Sequence, residues 1–336
     1  MKMVCKLRAF ILSRISLRLY FRTYSQIPLR PSYRHLFLLL PSLIKNFPSS
    51  FSSVTRFIRV NRISSSVVSI DGDLPAISLL IIVAPKDFEK LETCIAQAVK
   101  HSLNPISKIE IVVPNNGLTS CLKIVNQIDS HIPIYILDED EIISAKLREK
   151  MILELKHKYG WALQQIITLQ MVIGSKSHGV LAINADTFIL RDQVWLNGKF
   201  VQLLFQSPEF HKPYYKVIKG LFPGLNLIPY SHVTHHMLFQ PDLMRDFLAK
   251  NNYIDIEDIM YRVLLSFDKF QESPFCLEFE PYSQALHHYY PDRFELRRFS
   301  NSSFSLKEVN IGARGFIEDL DNQNIYNSIS FHSWSN

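Results

Sequence analysis

The chain has 336 residues, 47% hydrophobic and 20% charged, which is ample material for one large domain or two small ones with a buried core. Its net charge of +6 divides unevenly: residues 1–70 hold twelve Lys or Arg, from Lys2 to Arg62, and no acid, so the other 25 basic residues face all 31 acids. The body is therefore mildly acidic and offers no basic face for a nucleic acid; the basicity belongs to an N-terminal extension.

That extension opens with "KLRAFILSRISLRLYFR", in which Arg8, Arg14, Arg18 and Arg22 alternate with Phe10, Ile11, Leu12, Ile15, Leu17, Leu19 and Phe21. Such a segment can lie in a membrane interface with its cations at anionic head groups. Residues 1–45 are accordingly expected to make peripheral contact with an anionic membrane; a core-docked basic extension and an organelle transit peptide are the competing readings. The apolar stretch from His35 to Ile44 is about half of what a span needs, and Pro41 interrupts it. Asn46 to Ser66 is Ser-rich and weakly patterned, a linker, which sets an extension over 1–75 against a folded domain over 76–336. Cys5, Cys94, Cys121 and Cys276 are scattered with no CxxC pair, which disfavours a disulfide framework or zinc site and fits a reducing, cytoplasmic location, peripheral on the inner face of the cell membrane.

Ordered structure is expected from Ile77. "AISLLIIVAP" is a continuous apolar run closed by Pro85, the mark of a strand covered on both faces. "DFEKLETCIAQAVKHS" spaces Phe88, Leu91, Ile95 and Val99 as one helical face. "KIEIVVPNN" repeats the strand pattern, "TSCLKIVNQI" reads as a short helix and "IPIYILDED" as a third strand. Two helices follow, one with Ile143, Leu147, Met151 and Leu155 on a stripe and one over "GWALQQIITLQMVIG", before a strand that ends at Asn184. The order β-α-β-α-β-α-α-β predicts a Rossmann-type, mostly parallel α/β sheet with helices on both faces. After Asp192, Pro213, Pro223, Gly224 and Pro229 punctuate an irregular, loop-rich half; only "QPDLMRDFLAK" and "IDIEDIMYRVLLSFDKF" read as helices there.

The chain has ten glycines and neither a GxGxxG nor a GxxxxGK[ST], which disfavours Gly-rich phosphate loops. A diphosphate can instead be neutralised by a metal on carboxylates. "GVLAINADTFILRD" places Asn184 and Asp186 at a strand end, where open sheets bind ligands, and alternate residues of an extended chain share a face. Asp186 supplies the charge; Asn184 can offer a neutral carbonyl oxygen or bond a ribose. Trp161, Gln164, Gln165 and Thr168 fall on one stripe of the preceding helix, a polar and aromatic face on an otherwise apolar element.

With "YGWALQQ", "INADT", "THHMLF", "LEFEPYSQALHHYYP" and "SFHSW", residues 77–336 resemble a bacterial family of glycosyltransferase-like proteins with the GT-A nucleotide-sugar fold. The resemblance implies a nucleotide-diphospho-sugar donor, a glycan or glycolipid acceptor and a divalent cation, Mn²⁺ or Mg²⁺, held by Asp186, Asn184 and His332. It implies donor contacts from Trp161, Gln164, Gln165 and His236, and an acceptor base at Glu278, with Glu280 as its rival. Asn184 stands where the family carries an acid, and Leu277 where it carries a serine. Those departures keep open a non-catalytic nucleotide-sugar or glycan binding protein of the same fold. A sugar nucleotidyltransferase remains the third reading, disfavoured by the missing Gly-rich loop after the first strand.

Overall fold

The computed structural model describes residues 72–207, 211–228, 231–265, 275–298, 300–304 and 326–331. The basic extension and linker up to residue 71, the last residues of the "IDIEDIMYRVLLSFDKF" helix and His332 lie outside the described residues.

Four strands, β1 (Ile77–Ile82), β2 (Ile106–Val113), β3 (Ile134–Asp138) and β4 (Val180–Asn184), form a parallel sheet in the order β3-β2-β1-β4. Strand β7 (His236–Phe239) pairs antiparallel with β4 and closes the edge. Between them run α1 (Phe88–His101), α2 (Leu118–Val125), α3 (Ala145–Leu155) and α4 (Tyr159–Gly174), in the order that the hydrophobic pattern predicts. The continuous apolar runs are explained by a sheet buried on both faces. In β1, Ile77, Leu79 and Ile81 pack on one side with Leu91 and Ile95 of α1, while Leu80 packs on the other with Ile166 and Ile167 of α4. The close fit extends to the chain just before β4: a Cβ on Gly179 would lie 2.9 Å from Leu238 Cδ1 and 3.2 Å from Ile77 Cγ2, so the position takes glycine.

The second half is more regular than its proline pattern predicts. Helix α5 (Lys212–Leu221) begins where Pro213 suggested a loop, and a further helix, numbered below, contains Pro281. Both prolines sit in the first turn, where the missing N–H has no helical partner to lose. Helices α6 (Pro241–Lys250) and α7 (Ile256–Leu265) match expectation, and α8 (Phe279–Tyr289) completes the set. The short mixed strands expected in this half assemble into two small sheets. Strand β5 (Thr187–Ile189) lies antiparallel to β10 (Ser328–Phe331), which is parallel to β9 (Asn301–Phe304). Strand β6 (Gln202–Gln206) pairs in parallel with β8 (Phe294–Arg298). Their partners are more than ninety residues apart in places, as in Ile189 with Ser328, which no local pattern reports. Among the described residues, no helix is long and apolar enough to cross a membrane, and Cys94, Cys121 and Cys276 are buried free thiols.

Candidate functional site

The strand order reverses at β1, with all these strands parallel: β2 and β3 lie to one side of it and β4 to the other, with Ile82 opposite both Val112 and Asn184. Such a switch point leaves a crevice beyond the carboxyl ends of the two diverging strands. Asn184 is the last residue of β4 and so stands at that crevice. Its backbone N–H donates to the His235 carbonyl at 2.9 Å, and its side-chain oxygen accepts from Gln164 Nε2 at 2.9 Å.

The extended backbone stops at Asn184, and Ala185 and Asp186 form a turn into β5. The shared-face argument therefore does not describe this pair; the turn, rather than strand alternation, sets where Asp186 points. Asp186 is half-buried, accepts the Thr187 hydroxyl at 3.4 Å and receives the Phe331 N–H on its backbone carbonyl at 2.8 Å. Thr187 and Ser330 are in turn linked through their hydroxyls at 2.9 Å, so β10 pins the turn from the far end of the sequence. The negative charge of Asp186, after burial itself, also pushes the nearby Cys94 thiol up, which keeps that thiol protonated.

Helix α4 is the wall that joins the two halves of the site. Gln164 reaches Asn184; Gln165 Oε1 accepts the Leu277 N–H at 2.6 Å; the Thr168 hydroxyl donates to the Gln164 carbonyl at 2.9 Å and opposes the rise that burial imposes on Glu278. Trp161, 36% exposed at the start of the helix, packs on Phe275 with ring centres 5.0 Å apart and on Tyr214 at 6.4 Å. The polar stripe read from the sequence thus exists, but its roles divide. Trp161 is at the surface and Gln164 is half-buried, whereas Gln165 is 1% exposed and both ends of its amide are engaged by the protein. The donor contact implied for Gln165 meets a side chain that holds the chain instead.

His236 also departs from its expected place. It faces the core from β7, 1% exposed, its ring edge-on to Trp195 at 5.4 Å and Phe205 at 5.6 Å, and burial lowers it to about 3. His235 is the half-buried member of the pair, with φ of 60° at the crevice beside Asn184. His235 precedes β7 in a left-handed conformation, so strand alternation does not set its direction; within β7, His236 and Leu238 share the apolar side.

Both acids of "LEFEPY" are buried, Glu278 to 6% and Glu280 to 0% exposure, so neither is a surface acid. Burial raises each to about 7. They differ in company. Glu280 accepts from the Ser231 hydroxyl and His232 N–H on one oxygen, and from Tyr215 and Gln284 on the other. Its acceptor capacity is spent on the fold. Glu278, just before α8, has its burial opposed by the Thr168 hydroxyl, in place of the four donors that surround Glu280. Beside Glu280, His232, which burial keeps neutral, donates Nδ1–H to the Phe205 carbonyl at 2.6 Å, so its Nε2 accepts from His287 Nε2 at 3.1 Å.

Asp186 and Asn184 offer hard oxygen donors, a set that suits Mg²⁺ or Mn²⁺ completed by water and phosphate oxygens. No group of three His, Cys, Asp or Glu side chains gathers to hold a metal among the described residues. No family model matches the chain, and no curated protein matches its sequence. Among solved structures, the backbone is similar to mouse xyloside xylosyltransferase 1 in its apo form, at 10% identity, over 77% of this chain and 98% of that one, with a TM-score of 0.45. It is similar to the mannosyltransferase Ktr4p from S. cerevisiae at 9% identity, over 70% and 74% of the two chains, TM-score 0.48. An active-site mutant of LgtC matches at 10% identity, over 76% and 86%, TM-score 0.37.

Proposed function

We propose that the protein is a metal-assisted glycosyltransferase that moves a sugar from a nucleotide-diphosphate donor to a hydroxyl of a glycan or glycolipid acceptor. The observation that carries this reading is that one helix, α4, holds both parts of the candidate site: Gln164 bonds Asn184 at the switch point next to Asp186, and Gln165 bonds the Leu277 N–H next to Glu278. The family resemblance of the sequence supports it.

In this reading Asp186, with Asn184 and His332, holds a divalent cation that neutralises the diphosphate and the charge on the leaving nucleoside diphosphate. The Gln164 amide takes one lone pair of the Asn184 oxygen and leaves the other for a cation, while Asn184 Nδ2 can donate to a ribose or phosphate oxygen. Trp161 presents its exposed face to the donor or acceptor. Glu278 accepts the proton of the attacking hydroxyl; with its carboxyl near 7, it is substantially ionised at neutral pH and still basic enough to take that proton. Residues 1–45 bring the enzyme to an anionic membrane on the cytoplasmic side, where a glycolipid acceptor would lie.

The test is to incubate the full chain with Mn²⁺ and a panel of nucleotide sugars and to follow nucleoside diphosphate release, for wild type and Asp186→Ala. The expected result is release from at least one donor, lost in Asp186→Ala. Binding without release would favour a non-catalytic nucleotide-sugar binding protein. Release that survives Asp186→Ala would remove Asp186 from the site.

A further inference from the structure

Four aromatic rings follow one another past the start of α4. His211 and Tyr214 meet with ring centres 4.7 Å apart, Tyr214 and Trp161 at 6.4 Å, and Trp161 and Phe275 at 5.0 Å. Local structure explains the row. His211 is the residue just before α5, and its carbonyl accepts the Tyr214 N–H at 3.0 Å, so the two side chains stand one turn apart on the same face. Trp161 lies in the first turn of α4, its carbonyl held by Gln165 Nε2 at 3.3 Å, and one turn ahead of Gln164, which bonds Asn184. Phe275, 1% exposed, backs the indole from the core, whereas Trp161 is 36% exposed, Tyr214 half-buried and His211 exposed. The row thus leads from the end of α4 nearest Asn184 out onto α5.

The geometry points to His211, Tyr214 and Trp161 as a platform for the sugar rings of a glycan acceptor. One face of a pyranose carries mostly C–H groups, whose weakly positive hydrogens rest on the negative face of an aromatic ring, while its hydroxyls turn outward. The Tyr214 hydroxyl and the imidazole nitrogens of His211 give the same rings polar edges for those hydroxyls. The inference rests on the transferase reading of the crevice and gives Trp161 an acceptor contact in place of the donor contact that the resemblance implies. His211 and Tyr214 lie outside every motif that carries that resemblance.

The angles between the rings choose a sugar chain over the other flat ligand of such a site, a nucleobase. Successive planes are inclined by 59° from His211 to Tyr214 and by 30° from Tyr214 to Trp161. A base is one rigid plane that stacks on one ring, and it cannot lie flat against three rings set at those angles. Linked pyranoses turn at each glycosidic bond and can meet such rings in succession.

The experiment measures binding of maltotriose, cellotriose and chitotriose to the full chain by saturation-transfer NMR and calorimetry, with UDP and GDP as nucleotide probes. The wild type should bind at least one trisaccharide, and more tightly than the matching monosaccharide. Trp161→Leu and Tyr214→Leu, which keep apolar bulk without a ring, each weaken that binding roughly threefold to tenfold. Trp161→Phe, which keeps a ring, retains most of it, and UDP and GDP affinities stay as in the wild type. His211→Ala, at an exposed position, carries the test if the other ring-free variants fail to fold. The inference is overturned if no trisaccharide binds at millimolar concentration, or if the ring-free variants bind as the wild type does. A matching loss of UDP or GDP affinity, the mark of a base platform, also overturns it. The measurement needs no metal and no turnover, so trisaccharide binding without nucleoside diphosphate release would refute the transferase reading and leave the platform standing.

Discussion

Glu280→Gln removes one buried ionisable group while keeping its shape, and its effect on stability should depend on pH in a calculable way. Burial raises Glu280 from the ordinary 4.5 to about 7, against the four donors that lower it. A raised carboxyl means that the native state holds a proton the unfolded chain has already released. Stability from this group is fully present below pH 4.5, falls as the pH climbs to about 7, and is flat above. At about 1.4 kcal/mol per unit, the loss comes to about 3 kcal/mol. His232 and His236 work in the opposite sense: burial lowers them from 6.5 to about 4 and about 3, so their contribution is lost in acid and complete above 6.5. The difference between Glu280→Gln and wild type isolates Glu280 from these opposing groups. At pH 5 the variant should be less stable, by about 1–2 kcal/mol, because its new amide N–H₂ faces Gln284 Nε2. Gln284 does not flip in response, since its Oε1 holds the Ile228 N–H at 2.8 Å. By pH 8 the difference should have moved about 3 kcal/mol in favour of the variant. Urea unfolding of both proteins at the two pH values measures this. A difference that stays constant with pH would refute the assignment of a raised carboxyl at Glu280.

Two further substitutions probe the crevice and the frame that supports it. Asn184→Asp should tighten Mn²⁺ binding, read by titration calorimetry in the absence of any nucleotide, since a second anion joins Asp186 while Gln164 continues to donate to it; weaker or unchanged binding would remove this position from the metal site. Asn104→Ala should cost about 2–4 kcal/mol in urea unfolding, because Asn104, 2% exposed, bonds the carbonyls of Pro75 and Leu196 and the N–H groups of Trp195 and Leu196, all of which lose a partner; a cost below about 1 kcal/mol would mean that water replaces it.

The central sheet was legible in the sequence because its inner strands β1 and β4 are covered on both faces and each early helix buries one stripe, so burial imprints a period on the chain. β1 to β4 and α1 to α4 follow that imprint, and the strand end at Asn184 fell where the pattern put it. Hydrophobic period and the order of elements along the chain are local or nearly local facts, and they put Asn184 at a strand end; the spatial order β3-β2-β1-β4 that makes a switch point there belongs to the tertiary structure. What the sequence could not report is which side chain takes which partner. Gln165 sits on the stripe that spacing predicted, yet it holds Leu277, more than a hundred residues away, and a helix period says nothing of that segment. The histidine pair shows the same limit: only the Trp195 and Phe205 rings decide that His236 is the one that faces the core. Pro213 at the head of α5 read as a break because a first turn and a loop look alike until the helix beyond is packed. The choice between Glu278 and Glu280 likewise belongs to tertiary structure. Two acids two residues apart are equivalent on paper; Ser231, His232, Tyr215 and Gln284 donate to one, whereas at the other burial is opposed by the Thr168 hydroxyl, and that difference in company singles out Glu278.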